Sequence, residues 1–249
     1  MICLLGNFRL LHTGDPVAIP CGGKIEILLG RLGTQFDHRV PRTVLLDLLW
    51  PASDSALAHQ SLNSLIYSLH KLIGDALGGA AVILHEDGYY RLNTEAGVSV
   101  DVARFDAWAN TGDQQVHAGE RARAATSYRQ SVQLYRGDLV VQTDVGSVLE
   151  RERLRSRFLS LLGYLADYQY HAGDYSACLE QAWCLLGYDP CREDAHRVVM
   201  RCHVQRGERA AALRHYRVCV HILHAEFDAA PEPATTALFD QIRLQPSHV

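Results

Sequence analysis

The 249-residue sequence has almost no lysine: Lys24 and Lys71 stand against 22 arginines. That bias points to a GC-rich coding sequence rather than to a function. Net positive charge is also missing. The formal charge at pH 7 is −4, which removes the simplest argument for a nucleic-acid partner. Long apolar runs are missing too, so the sequence predicts no transmembrane helix and no membrane partner. Residues 1–20 lack the basic-then-apolar order of a signal peptide, because Asn7, Arg9, His12 and Asp15 interrupt it. A cytoplasmic protein is the expectation. The seven cysteines are odd in number and contain no Cys-x-x-Cys pair. They read as reduced, buried thiols, and no metal or cofactor is expected. A Gly-x-x-x-x-Gly-Lys-Ser/Thr phosphate loop is absent. What remains is 48% hydrophobic and 21% charged, enough for one or two packed domains and too apolar for disorder.

The pattern changes near residue 103. Before it, Ile2-Cys3-Leu4-Leu5 and Phe8-Arg9-Leu10-Leu11 precede the turn Thr13-Gly14-Asp15-Pro16, and Val17-Ala18-Ile19 returns as a hairpin strand. Helical stripes follow over 24–36, 42–50 and 55–73. The third carries Leu62, Leu65, Ile66, Leu69, Leu72 and Ile73 at spacings of three and four. Val82-Ile83-Leu84 and Tyr89-Tyr90-Arg91-Leu92 flank the turn Glu86-Asp87-Gly88, and Val98-Ser99-Val100 reads as a further strand. Strands, three helices and a hairpin outline an α+β winged helix-turn-helix over 1–102.

From residue 103 onward the pattern is helical almost throughout. Gly173-Asp174-Tyr175-Ser176-Ala177-Cys178-Leu179 matches Gly207-Glu208-Arg209-Ala210-Ala211-Ala212-Leu213 at a distance of 34 residues. That period belongs to tetratricopeptide helix pairs. Ala166 and Cys178 sit where paired helices approach closely. Residues 119–135 form a less regular member, and helices near 147–162 and 234–243 are expected to cap the array. The second domain is therefore all-α and tetratricopeptide-like.

Several fragments resemble the Streptomyces antibiotic regulatory protein family, which joins an OmpR-type winged helix to a bacterial transcriptional activation domain. They are Leu5-Gly6-Asn7-Phe8-Arg9-Leu10, Val40-Pro41-Arg42 through Leu49-Trp50-Pro51, and Ser61-Leu62 through Leu69. Gly88-Tyr89-Tyr90-Arg91-Leu92 and Val100-Asp101-Val102-Ala103-Arg104-Phe105 mark the wing and its exit. Leu134-Tyr135-Arg136-Gly137-Asp138-Leu139, Glu150-Arg151-Glu152-Arg153-Leu154 and Arg192-Glu193-Asp194-Ala195-His196-Arg197 mark the second domain. The resemblance implies transcription activation at double-stranded promoter DNA, with the helical domain serving homodimerisation, RNA polymerase contact or effector sensing.

A recognition helix needs an apolar face in the core and a polar stripe toward the major groove. Helix 55–73 supplies both. Gln60, Asn63, Ser64, Tyr67 and Lys71 oppose the leucines, with His59 and His70 beside them. Arg39, Arg42 and Arg91 are the remaining cations of the module. Residues 1–102 hold seven Lys/Arg against ten Asp/Glu, a net of −3, so binding is expected to be weak or conditional. Protonation of His59 and His70 near pH 6 would add charge to the helix. The alternative is a degenerate winged helix on a helical module that binds a protein or a nucleotide effector. Arg151, Arg155, Arg197, Arg201 and Arg214 are candidates for a small anionic effector or a partner surface. Asp47, Asp54 and Asp75 are scattered, and no base–nucleophile–orienter set is visible, so the sequence does not read as an enzyme.

Overall fold

The computed structural model describes residues 1–18, 23–36, 38–51, 55–139 and 145–245. The expected hairpin residue Ile19, together with Cys21 and Asp54, lies outside the described residues. The chain forms two compact units, one of Met1–Asn110 with Gln133–Arg155 and one of Thr111–Val132 with Ser156–Val249.

The first unit opens with an antiparallel sheet of β1 (Ile2–Cys3), β2 (Arg9–His12) and β3 (Asp15–Val17), in that order. Then come α1 (Lys24–Thr34), β4 (Val40–Pro41), α2 (Arg42–Leu49), α3 (Ser55–Ile73), β5 (Ile83–Glu86) and β6 (Tyr89–Leu92). A second antiparallel sheet has the order β4-β6-β5. Glu86 pairs with Tyr89 across the two-residue turn Asp87-Gly88. Both turn residues have positive φ, 49° and 81°, which is the twist a tight hairpin needs and the reason for Asp-Gly here. Leu62 and Leu69 of α3 are buried, as their spacing predicts, and Leu65, Ile66 and Ile73 are half-buried, but Leu72 is exposed, at the edge of the stripe rather than in the buried face. The winged-helix arrangement is present. Val98–Val100 is not a strand; it makes a single parallel bridge between Val100 and Ile2. Gly97 turns the chain at φ 90° and α4 (Asp101–His117) begins at once, leaving no room for a ladder.

Asp101 ties this unit together. It is 2% exposed. The Leu4 N–H donates to both its carboxylate oxygens at 2.8 and 2.9 Å, Leu5 N–H to Oδ2 at 3.0 Å, and Val102 N–H to Oδ1 at 2.9 Å. Burial pushes its carboxyl above the usual range, against the pull of those three donors. Residues 133–139 then return to the amino-terminal sheet. Gly6 N–H donates to Asp138 O at 3.1 Å, and Leu5 bridges Leu139. A Cβ on Gly6 would meet the Arg136 carbonyl at 3.1 Å, and its φ is 92°, so glycine is required at this crossing.

The second unit contains α5 (Arg121–Val132), the later turns of α6 (Val145–His171), α7 (Tyr175–Tyr188), α8 (Glu193–Gln205), α9 (Arg209–Phe227) and α10 (Pro233–Leu244). The helix expected over 147–162 is one 27-residue helix. Nothing between 162 and 171 is a strong breaker, and Gly163 costs a helix only about 1 kcal/mol relative to alanine. The same turn closes three helices. Gly119, Gly173 and Gly207 have φ of 76°, 77° and 76°. In each case the glycine N–H and the following acidic residue's N–H donate back to helix carbonyls, as in Glu120 to Gln115, Asp174 to Gln169 and Glu208 to His203. The irregular 119–135 segment thus shares the turn of the clearer repeats. Ala166 and Cys178 are both buried. The α10 residues Leu238 and Ile242 cover Met200 and Ala212, which is the capping role. Four of the six described thiols are buried, Cys184 is exposed and Cys191 is half-buried.

Gly112 offers a direct test of this packing. A Cβ there would stand 2.3 Å from the Tyr128 ring, which is held by its hydroxyl donating to Asp113 Oδ1 at 2.7 Å. Gly112→Ala gains helix propensity but overpacks the ring, so it is expected to lose about 1–2 kcal/mol net. Urea unfolding followed by circular dichroism measures the difference; a gain in stability would show that the ring has somewhere to go.

Candidate nucleic-acid interface

The α3 face opposite the leucines is open to solvent. His59, Gln60, Asn63, Ser64, Tyr67 and Lys71 are all exposed, Tyr67 to 71%. The helix carries no Asp or Glu over Ser55–Ile73. Lys71 sits in its last turn, where the helix dipole favours a cation. Trp50, Leu57, Gln60, Ser64 and Ser68 line an open groove of about 480 Å³ along one side.

Several candidate cations are already engaged. Arg42 stands at the start of α2, where its Nη2 donates to Asn63 Oδ1 at 3.2 Å and lies 3.5 Å from His59 O. Its backbone N–H donates to Gly88 O at 2.8 Å. It braces α3 and the wing turn and occupies one acceptor of Asn63. Arg39 pairs with Glu86 at 3.3 Å and Arg91 with Glu95 at 3.4 Å. Exposed pairs of this kind hold together by about 0–1 kcal/mol, so a phosphate can displace the carboxylate. His70 is half-buried beside the wing, and the Ile83 N–H donates to its Nε2 at 3.3 Å. Burial lowers its pKa, and the acceptor role uses the lone pair that a proton would take. It does not supply a charge to the groove-facing stripe near neutral pH.

One further cation borders this face. Lys24, at the start of α1, places Nζ 4.2 Å above the Trp50 ring. Trp50 also lines the groove beside Gln60 and Ser64, so Lys24 joins the edge of the α3 face. Neither the 26-residue separation nor the change of element gave a sign of it.

The family model of the bacterial transcriptional activator domain matches residues 100–243. The chain belongs to that family. With a winged helix ahead of the activator domain, it is a member of the Streptomyces antibiotic regulatory proteins. The regulatory protein DnrI of Streptomyces peucetius is 27% identical over 201 residues, covering 78% of this chain and 73% of that protein. The solved structure of Mycobacterium tuberculosis EmbR, in complex with a low-affinity phosphopeptide, superposes with a TM-score of 0.75 at 22% identity. It covers 98% of this chain, whereas this chain spans only 65% of that one. That likeness shows the shared fold. The family is one of transcriptional regulators rather than enzymes.

Within this activator-domain protein the arginines considered for an anionic effector fall into both units. Arg151 and Arg155 belong to the first and are half-buried; Arg151 Nε donates to Leu139 O at 3.1 Å. In the second, Arg197 donates to Glu232 at 2.9 Å and to Thr235 at 2.8 Å, which ties α8 to α10. Arg201 and Arg214 are exposed. Among the described residues no His/Cys/Asp/Glu group could hold a metal. No described helix is long and apolar enough to cross a membrane.

Proposed function

We propose that this protein is a cytoplasmic transcription regulator that binds promoter DNA through α3 and acts through its helical domain. The observation that carries the reading is the exposed, carboxylate-free α3 face. Gln60 and Asn63 are suited to adenine edges, Tyr67 to a thymine methyl or a phosphate, and Lys71 to a guanine or a phosphate. Ser64 and His59 lie on the same face. Arg39, Arg42, Arg91 and Lys24 supply the surrounding phosphate contacts, Arg39 and Arg91 by exchanging their carboxylate partners. His70 positions the wing. In this reading residues 1–102 hold the DNA-binding module and residues 103–249 the activation module. The activation module serves homodimerisation and RNA polymerase contact, which add affinity that a module of net charge −3 lacks.

Fluorescence anisotropy with labelled duplexes at about 50 and 200 mM salt tests this. Lys71→Ala is expected to reduce the salt slope by about one and to weaken binding on every sequence alike. Gln60→Ala is expected to relax preference at one base position, at about 1–3 kcal/mol. A folded protein that binds no duplex at low salt would remove the proposal. One observation favours the other reading, a helical module without DNA binding: the wing tip carries Glu86 and the exposed Asp87. In that case Arg201 and Arg214, the exposed members of the arginine set, are the place to look for an anionic effector, and stabilisation by a nucleotide without any duplex binding would select it.

A further inference from the structure

We propose that the first unit contains a binding site for a small, uncharged, hydrocarbon-rich ligand, set between the amino-terminal sheet and the foot of α3. A cavity of about 280 Å³ lies there. Ile2, Leu10, Leu29, Val82 and Val98 form its walls, and all five are buried. Among the described residues no Asp, Glu, Lys or Arg lines it, and the α-ammonium of Met1, which also lines it, donates to Leu11 O at 2.6 Å. His12 and Thr13 are its polar side chains, both at the exposed turn between β2 and β3. The Thr13 hydroxyl already donates to His12 O at 2.8 Å. The site therefore offers a ligand apolar walls and at most one polar side chain at its mouth.

These features select the ligand. Protein interiors leave few voids larger than a water molecule, because wall atoms facing a void lose their dispersion partners. An apolar cavity of about 150 Å³ takes a single benzene ring. One nearly twice that size fits a two-ring aromatic or an aliphatic chain of about ten carbons. A charged ligand would lose its hydration without a charged side chain among the described lining residues to replace it, the Met1 α-ammonium being engaged by Leu11 O.

The position links the site to the α3 face. Ile73, the last residue of α3, and Leu77 in the turn that follows both line the cavity. Val82 lines it from the foot of β5, where the Ile83 N–H donates to His70 of α3. An occupant therefore touches the end of the candidate recognition helix and the base of the wing together. Binding itself does not depend on the DNA reading; only its consequence for DNA does, and the test below uses no DNA.

Isothermal titration calorimetry and thermal melting of the full chain with 1-naphthol, and with 1-naphthalenesulfonate as the charged analogue, decide the matter. The expected result is 1:1 binding of naphthol with a raised Tm, and at least tenfold weaker binding of the sulfonate. Ala96→Leu places a larger side chain at the cavity wall while keeping the Ala96 N–H bond to Asn93 Oδ1. Val17→Phe fills it from β3. Each is expected to weaken naphthol binding at least tenfold without lowering the Tm of the free protein, and either decides if the other fails to fold. No naphthol binding to the folded wild type overturns the proposal. So does binding undiminished in the folded variants, or equal binding of the sulfonate.

Discussion

Asp101→Ala is expected to cost at least about 3 kcal/mol of stability, because three buried N–H groups lose their acceptor and each such loss costs about 1–3 kcal/mol. A typical domain has about 5–15 kcal/mol in total, so much of the first unit should be unfolded in mild denaturant. The donors come from Leu4, Leu5 and Val102, and Leu4 and Leu5 are fully buried, away from water that could replace the acceptor. Asp101→Asn should fall between alanine and wild type. One oxygen remains an acceptor, but the amide nitrogen must face either the Leu5 or the Val102 N–H. Urea titrations of the three proteins, followed by far-ultraviolet circular dichroism, order them. An alanine variant as stable as wild type would show that the carboxylate is replaceable by water or by backbone shift.

The second large effect lies in the helical unit and depends on pH. His196 and His215 are 1% and 5% exposed. His196 Nε2 lies 2.8 Å from Pro190 O and must donate there, so its Nδ1 accepts the Nε2–H of His215 at 2.9 Å. Trp183 packs edge-on against His215 at 5.2 Å. This arrangement requires His196 neutral, because its Nδ1 must accept, and burial disfavours a charge on His215 beside it. Burial first, then His196 and His203, push His215 down to about 4. Burial also lowers His196, against Glu193 and Asp194. An unfolded histidine titrates near 6.5, so the unfolded chain takes up protons that the native state refuses. The stabilisation is complete above about pH 6.5 and is lost as pH falls toward 4. From His215 alone the loss between pH 7 and pH 5 is about 2 kcal/mol. His215→Gln keeps a donor for His196 Nδ1 and should flatten the dependence. Urea midpoints at pH 7, 6 and 5 measure it; a variant with the wild-type slope would assign the loss to other groups.

Much of this architecture was legible where one residue type at one position suffices. Leu62 and Leu69 announce the buried face of α3 by spacing. Asp87-Gly88 announces the wing turn. The 34-residue spacing of Gly173 and Gly207 announces the helix pairs, and Gly119 makes the same turn although the helix after it shares little side-chain pattern, because the backbone asks only for glycine there. The candidate interface was half legible. Periodicity separates its exposed stripe from its core face, but the partners of Arg39, Arg42 and Arg91 come from the wing, from α3 and from the turn beyond β6. Spacing puts His70 beside the stripe, whereas its ring meets β5 at the Ile83 N–H. Pairings across elements leave no mark on local spacing, and neither does the seat of Lys24 on Trp50.

The return of residues 133–139 to the first sheet has a practical consequence. A stop codon or protease cut after residue 102 would divide the protein where composition changes, yet it would strip Leu5 and Gly6 of Leu139 and Asp138. The amino-terminal fragment would then present an unfinished edge, ready to pair with another copy and precipitate. Isolating the first unit intact calls for a different excision: removing 111–132 with a short loop in its place and ending at 155, so that the strand neighbour travels with it.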